Sequence, residues 1–315
     1  MSLFPQYASL EAAGALPARP LHLAIGMFDG VHLGHRAVID AAVEAARRSG
    51  GISAVLTFWP HPSALFRPED STRLIQDGIT KAKVLLSIGV DTVITQPFTL
   101  EFAGVGAEEF LSWLKHRLPH LVAVYVGENF RFGRGRRGDA VLMMTSAKTM
   151  GISLFSAPRV TCACEPISST RIRGLLESGE IAFANTLLGY PYFCEGPVVS
   201  GKRLGRTIGF PTLNVEWAPA LRPRFGVYAV SVSGVKSAVS LPAVANYGLR
   251  PTVEQSTQPR LEAHLLGTCP FGEGDLLKIE WIRFVRAESK FVTLDDLRLQ
   301  IEKDRSAVIK DFSLH

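Results

Sequence analysis

The feature that most constrains the fold of this chain is a strand–turn–helix–strand pattern in residues 21–58. Residues 21–27 form a short apolar run suited to a buried strand, and residues 52–58 form a second one. Between them, residues 37–48 carry apolar side chains at helical spacing, and two glycines follow as a helix stop. Two apolar strands joined by a helix predict a pair of parallel strands in one sheet.

The same alternation continues through the first half of the chain. Further elements are predicted as a strand at 92–95, a helix at 107–118, a strand at 121–126 and a helix at 140–150. Two short helical stretches then run to about residue 188. Strands that alternate with helices favour a parallel sheet with helices on both faces, so we predict an α/β doubly wound domain.

Beyond a predicted linker at residues 189–191 the pattern changes to short strands. These strands are predicted at residues 226–233, 238–246, 261–266 and 276–286. Residues 293–296 resemble a capping box, so a last helix is predicted from Thr293 to about residue 311. We therefore predict a small antiparallel β-barrel domain with a C-terminal helix, and domains of residues 1–187 and 188–315.

Composition and length exclude several classes of protein. The 315 residues suffice for two domains with separate cores, and 34 Lys and Arg against 29 Asp and Glu leave a net charge of +5. This excess suits an anionic ligand but is weak evidence for nucleic-acid binding. The four cysteines form no Cys-x-x-Cys pair, so we predict that all are reduced. We find neither a signal-peptide pattern nor a membrane-spanning run of ~20 apolar residues, and predict a cytoplasmic protein without a membrane partner.

A turn with two histidines follows the first predicted strand. His32 and His35 flank Gly34 just before the predicted helix. A helix N-terminus has unpaired N–H groups and a partial positive charge, so phosphates bind there, and both imidazoles can donate hydrogen bonds to a phosphate. The alternative is a pair of solvent-facing loop residues. Two histidines and three glycines in one turn favour the phosphate site.

Two further segments of the first half could bind anions. Residues 130–138 place four arginines among glycines after a predicted strand, which suits a polyphosphate but also a solvated basic loop or a nucleic-acid patch. Residues 168–173 open a helix with hydroxyl groups and two arginines. A capped helix start is common, so this segment alone decides nothing.

A glycine-rich, basic segment at residues 201–214 is the main polar feature of the second half. Its start fits most of a Walker A motif, but Arg203 stands where Ser or Thr is needed, so we reject that motif. Glycines and backbone N–H groups can still hold phosphates in another geometry. Thr212 and Asn214 lie two residues apart on an extended strand, hence on one side, and their oxygens suit Mg²⁺. A simple turn with side-chain hydrogen bonds is the alternative.

Glu262 lies in a stretch where apolar and polar residues largely alternate, as on a barrel strand. A carboxylate there can accept the proton of an attacking hydroxyl group if it lies within hydrogen-bond reach. A surface-facing glutamate would fit the same pattern.

Eight segments, taken in order, resemble one protein family. They are residues 25–35, 57–62, 127–133, 167–173, 205–214, 246–252, 261–266 and 286–291. In this order they are similar to the prokaryotic bifunctional FAD synthetases, over about residues 20–312. The resemblance implies a nucleotidyltransferase module of doubly wound α/β type, followed by a riboflavin kinase module, which is a six-stranded β-barrel with a C-terminal helix.

The resemblance also implies roles for residues of the first module. His32 and His35 would contact the ATP phosphates as catalytic residues, and Asn129 would orient the phosphates or the flavin. His61 and Pro62 would lie near the flavin. The other nucleotide-binding residues that it implies are Gly26, Phe28, Asp29, Gly34, Ser169, Thr170, Arg171 and Arg173.

In the second module, the resemblance implies Glu262 as the base for the ribityl hydroxyl group, and Thr212 and Asn214 as ligands of Mg·ATP. The implied phosphate-covering loop is Gly201–Thr207, with Gly201, Lys202, Gly205, Arg206 and Thr207 as nucleotide-binding residues, and Gly209 is a further implied nucleotide-binding residue. Two features depart from the family pattern. Met27 replaces a usually small polar residue, and residues 267–272 lack the expected acidic, aromatic stretch.

The implied function is a bifunctional enzyme that phosphorylates riboflavin to FMN and adenylylates FMN to FAD, with Mg²⁺ and ATP in both steps. One alternative is a monofunctional FMN adenylyltransferase whose barrel only binds flavin. Another is a nucleic-acid-binding protein that uses the arginines of residues 131–137, which the mild net charge disfavours. The sequence predicts no oligomeric state.

Overall fold

The structure is a computed structural model that describes residues 6–201, 205, 208–237, 239–249 and 259–313. The chain divides into two compact units, the first ending at Ser169 and the second beginning at Thr170. The first unit is built on a parallel sheet, and the second on a closed antiparallel barrel. The predicted fold class, an α/β doubly wound domain followed by a small barrel with a C-terminal helix, is confirmed.

The sheet of the first unit has five parallel strands in the order β3-β2-β1-β4-β5. They are β1 (Leu21–Ile25), β2 (Ile52–Trp59), β3 (Thr92–Pro97), β4 (Leu121–Gly127) and β5 (Ser153–Ala157). β1 is buried along its whole length, as expected for a central parallel strand that is covered on both faces. The strand order reverses between β1 and β4, and in open α/β sheets ligands bind outside the carboxyl ends of the strands at such a point.

The described part of the first unit contains seven α-helices, of which the first precedes β1 and the other six connect the strands. They are α1 (Leu10–Ala13), α2 (Leu33–Ser49), α3 (Pro62–Phe66), α4 (Gly78–Ser87), α5 (Leu100–Ala103), α6 (Phe110–Arg117) and α7 (Ala140–Thr149). Two short strands, β6 (Thr161–Cys162) and β7 (Glu165–Pro166), pair with each other. α2 begins at Leu33 instead of the predicted residue 37, because the helix is already capped by His32.

The barrel of the second unit closes in the order β10-β11-β12-β9-β8-β13. Its strands are β8 (Phe193–Val199), β9 (Leu213–Val215), β10 (Gly226–Gly234), β11 (Leu241–Gly248), β12 (Arg260–Leu265) and β13 (Leu276–Arg286). Large aromatic side chains fill the interior, and Trp281, Tyr228 and Tyr247 are all fully buried. Because successive side chains of a barrel strand point alternately inwards and outwards, the outer face can carry polar groups while the interior is apolar.

Three helices complete the second unit: α8 (Ser169–Ser178), which starts at the division between the units, α9 (Ile181–Leu188) and α10 (Leu294–Ser313). Asn185 on α9 donates to the Trp281 carbonyl oxygen at 2.7 Å and accepts from the Tyr192 N–H at 2.7 Å. These bonds explain why α9 belongs to the barrel unit. The predicted domain boundary, between residues 187 and 188, falls at the end of this helix.

The C-terminal helix α10 starts with the expected capping box. The Asp296 N–H donates to Thr293 Oγ1 at 3.1 Å, and the Thr293 N–H donates to the Asp296 carboxylate at 3.2 Å. Farther along α10, the buried Asp304 accepts two hydrogen bonds from Arg286 on β13. None of the four cysteines forms a disulfide bond. None of the described helices is long and apolar enough to cross a membrane.

Candidate functional site

Turns with polar side chains follow three neighbouring strands of the parallel sheet. His32 follows β1, His61 follows β2 and Asn129 follows β4. Since the strands are parallel, all three turns lie at the carboxyl ends of the strands, around the point where the strand order reverses. These turns form the candidate site of the first unit.

His32 and His35 form a stacked pair at the start of α2. Their ring centroids are 3.6 Å apart and the ring planes differ by 16°. His32 is only 4% exposed and caps the helix, because its Nδ1 accepts the His35 N–H at 3.3 Å. A Cβ at Gly34 would lie 3.1 Å from the His32 ring, so the turn has little room for a larger residue.

The charge state of this pair follows from its surroundings. Nδ1 of His35 is buried and has no hydrogen-bond partner among the described residues. Burial, then the neighbouring His32 and Lys81, hold the pKa of His35 well below its usual range, so His35 is neutral at pH 7. His32 accepts a hydrogen bond at Nδ1, which places the proton of its neutral form on Nε2. The pair can therefore donate N–H groups to a phosphate.

The turn between β1 and α2 has an unusual backbone. Phe28 and Val31 have φ angles of 49° and 41°, which side chains other than glycine rarely adopt. The Asp29 carboxylate, 3% exposed, accepts the Ile75 N–H at 3.0 Å. The Asp29 carbonyl oxygen accepts from Ser169 Oγ at 2.9 Å. Asp29 thus supports the turn through buried hydrogen bonds. Backbone strain such as the positive φ angles of Phe28 and Val31 is concentrated at functional sites.

His61 and Asn129 are placed differently. His61 caps α3, since its Nδ1 accepts the Ser63 N–H at 3.1 Å, and Pro62 occupies the first turn of that helix. Asn129 is exposed in a tight turn in which the Phe130 N–H donates to the carbonyl oxygen of residue 127 at 2.9 Å.

The arginine-rich loop after β4 is well anchored. Arg131 pairs with Asp139 at 3.1 Å, and the Arg134 N–H donates to the Val105 carbonyl oxygen at 2.7 Å. Arg136 and Arg137 are exposed. The loop thus presents positive charge at the carboxyl end of β4, where an anionic ligand of this sheet would lie.

On α8, in the second unit, lie two arginines that were predicted to bind the nucleotide. The Arg171 guanidinium lies 5.1 Å from the ring centroid of Phe183, and Arg173 donates to Thr170 Oγ1 at 3.4 Å. Both arginines are half-buried.

The candidate site of the barrel is a row of polar side chains across three strands. Glu262 on β12 is paired directly with Asn214 on β9 and with Asn246 on β11. Both neighbours of Glu262 along β12, Leu261 and Ala263, are buried. Because side chains alternate along a strand, Glu262 and its cross-strand partners face outwards.

Two glycines that follow β8 lie close to the start of β9. A Cβ at Gly201 would overlap the Asn214 carboxamide, and one at Gly205 would overlap the Phe210 carbonyl oxygen and approach Thr212 Oγ1. Asn214 Oδ1 is buried and has no partner among the residues described. A buried carbonyl oxygen beneath a closely approaching backbone suits a cation or a phosphate-bound metal.

Three predicted members of the phosphate-covering loop, Lys202, Arg206 and Thr207, lie outside the described residues. Gly209 has a φ of 87°, a conformation that explains the choice of glycine there.

Gly201→Ala tests this close approach. The added methyl group must displace Asn214, so we expect the riboflavin phosphorylation that the family resemblance implies for the barrel to fall by about 10²-fold, the effect of a displacement of about 1 Å. Gly267→Ala is the matched control, because its Cβ would meet nothing within 4 Å. Equal rates for both variants in a riboflavin phosphorylation assay would show that the loop does not depend on this contact.

His264 is a site residue for which sequence reasoning predicted no role. It lies two positions from Glu262 on the same face of β12, and its Nδ1 bonds the Pro211 carbonyl oxygen at 2.8 Å, immediately before Thr212. Burial and then Arg305 lower its pKa, against the effects of the Pro211 carbonyl and Glu302. A neutral His264 donates from Nδ1 and thereby holds the start of β9 in place. The alternation of apolar and polar residues that pointed to Glu262 could also have pointed to His264.

The two candidate sites, a histidine turn on a doubly wound sheet and a row of polar side chains on a closed barrel, fit a two-domain transferase that acts on nucleotides. A family model described as FAD synthetase matches residues 17–171, and one described as riboflavin kinase matches residues 188–312. The chain belongs to the family of bifunctional riboflavin kinase/FMN adenylyltransferases, which confirms the predicted family and both enzyme domains.

The relatives that carry this assignment are similar over almost their whole length. The bifunctional riboflavin kinase/FMN adenylyltransferase of Escherichia coli (strain K12) is 37% identical over 292 residues, with 93% of each chain covered. That of Bacillus subtilis (strain 168) is 36% identical over 298 residues, with 92% of each covered. A crystal structure described as a macrolide-efflux protein from Streptococcus pneumoniae has a TM-score of 0.83 at 26% identity, covering 93% of this chain and 95% of that one.

Proposed function

We propose that this chain makes FMN at its barrel and FAD at its parallel sheet, with the catalytic residues that the sequence predicted. What supports this is that each compact unit has its own polar site suited to phosphate: the stacked histidines in the first and the row of Asn214, Glu262 and Asn246 in the second. Two separate sites fit two separate reactions.

In the first reaction, the 5′-hydroxyl oxygen of riboflavin attacks the γ-phosphorus of ATP, ADP leaves, and Glu262 accepts the hydroxyl proton. The half-buried position of Glu262 on the outer barrel face leaves it accessible to a substrate. The backbone N–H groups of the loop that contains Gly201 and Gly205 bind the phosphates.

Thr212 and Asn214 would hold Mg²⁺ together with the phosphates of ATP. The buried Asn214 Oδ1, without a partner among the described residues, fits this role, since neutral oxygen atoms are ligands that Mg²⁺ accepts. The ion would neutralise charge on the phosphoryl group when bound.

In the second reaction, a phosphate oxygen of FMN attacks the α-phosphorus of ATP and pyrophosphate leaves. An ionised phosphate needs no base, so the residues act by position and charge. His32 and His35 donate to the phosphates at the N-terminus of α2, and Asn129 orients the phosphates or the flavin. The remaining predicted residues have three roles. The turn is shaped by Gly26, Phe28, Asp29 and Gly34. The flavin side is formed by His61 and Pro62, and pyrophosphate is bound by Ser169, Thr170, Arg171 and Arg173.

A cytoplasmic location stays a prediction.

The test is chromatography of the products formed from riboflavin, ATP and Mg²⁺. We expect FMN to appear first and FAD to follow, with both dependent on the added metal. If supplied FMN became FAD while riboflavin stayed unchanged, the barrel would be a flavin-binding module without kinase activity. If neither product formed, the proposal would be wrong.

A further inference from the structure

The buried Lys81 on α4 is the most unusual charged group of the first unit. Its side chain is 5% exposed, in a protein interior where lysine is rare. The ammonium nitrogen donates to the Met27 carbonyl oxygen at 3.0 Å and to Thr57 Oγ1 at 2.8 Å. Burying a charge is costly unless it is paired and hydrogen-bonded, so this arrangement requires an explanation.

The bonds of Lys81 form a closed triangle. Thr57, on β2 and fully buried, donates its hydroxyl proton to the same Met27 carbonyl oxygen at 3.0 Å. That carbonyl therefore accepts two hydrogen bonds. It belongs to the peptide group directly before Phe28, where the backbone enters the left-handed region. The triangle thus fixes the orientation of the peptide group at which the strained turn begins.

Charge connects Lys81 to the histidine pair as well. The carboxylate of Asp29, in the same turn, favours the charged ammonium, while burial opposes it and lowers the pKa of Lys81 to about 8. Lys81 is therefore mostly protonated at pH 7. Its charge is one cause of the lowered pKa of His35, after burial and the stacked His32. The titratable groups that act on this part of the turn are thus Asp29, His32, His35 and Lys81.

We propose that Lys81, supported by Thr57, is a positioning residue for adenylyl transfer: it holds the strained turn between β1 and α2 in the conformation that presents His32 and His35. This inference rests on the proposed function of the first unit. Lys81 lies behind the turn, bonded to the backbone and to Thr57, and acts through the histidines.

Lys81→Met tests the proposal, because methionine keeps an unbranched apolar stem and removes the ammonium group. We expect the conversion of FMN to FAD to fall about 10- to 100-fold, mainly in kcat, since a small displacement of catalytic groups has effects of this size. Phosphorylation of riboflavin by the same chain should be unchanged. The matched control is Lys83→Met, two residues away on the exposed side of α4.

The split between kcat and KM is a readout that distinguishes a positioning residue from a purely structural lysine. Misplaced histidines slow the chemical step, so kcat for FAD formation should fall while the KM values for FMN and ATP stay near native in Lys81→Met, and Lys83→Met should change neither. Folded Lys81→Met that makes FAD within threefold of the native rate, or that loses activity through KM alone, overturns the proposal.

A second variant covers the case in which Lys81→Met does not fold. Thr57→Val keeps the shape of the side chain but removes one of the two hydrogen-bond partners of the Lys81 ammonium group, so FAD formation should fall about tenfold and thermal stability should fall in part while the chain still folds. A folded Thr57→Val chain with native FAD formation then overturns the proposal. Absence of FAD from the native chain itself would instead refute the proposed function.

Discussion

Replacement of both His32 and His35 by alanine is expected to stop the chain at FMN. Riboflavin should still be consumed, because the barrel has its own site, but FAD should not form. Negative charge grows on the α-phosphate when the FMN phosphate attacks, and each lost donor to such a centre costs about 10²–10³ in rate. Chromatography of riboflavin, FMN and FAD over time measures both steps in one sample.

The capping role of His32 has to be separated from its chemistry. Its Nδ1 accepts the His35 N–H, so alanine also removes the cap of α2, at a cost of about 1 kcal/mol. His32→Asn keeps a capping side chain without an imidazole and should lose FAD formation while retaining the thermal stability of the native chain. The exposed His116, replaced by alanine, is the control. A folded double variant that makes FAD at the native rate would show that the histidine pair does not take part.

The elements that the sequence predicted well are those whose signal is local. β1 and β2 are continuous apolar runs because they are buried on both faces, and α10 starts at the predicted capping box. β5 and β8 were not located. β5 is mostly exposed or half-exposed, and β8 contains Glu195, Gly196 and Pro197, residues that are depleted in strands. Their place in the sheets is decided by tertiary pairing.

The same distinction applies to the candidate sites. The histidine pair was predictable because both residues and the start of the helix lie within residues 32–35. The role of Lys81 was hidden, since its partners Met27 and Thr57 lie 54 and 24 residues away, and a lysine on a helix normally indicates the exposed face. The bond from His264 to Pro211 spans 53 residues and was hidden for the same reason.

The predicted role of Glu262 as a base came from the alternation of apolar and polar residues along β12 and from the family resemblance. In the structure, the strand register also pairs Glu262 with Asn214 and Asn246. Glu262→Gln is expected to abolish the conversion of riboflavin to FMN while supplied FMN still becomes FAD. The amide keeps the size of the side chain but cannot accept the hydroxyl proton, and loss of a general base costs about 10²–10⁴ in rate. Assays that start from riboflavin and from FMN separate the two steps.

Two further substitutions decide whether Glu262 acts as a base or only supports the barrel. Glu262→Asp keeps the carboxylate but shortens its reach, so phosphorylation should be weak yet measurably faster than in Glu262→Gln. Glu273→Gln, in an exposed loop, is the control and should leave both reactions unchanged. If folded Glu262→Gln and Glu262→Asp both phosphorylated riboflavin at the native rate, the hydroxyl proton would have to leave by another route. The row of Asn214, Glu262 and Asn246 would then serve only to bind substrate.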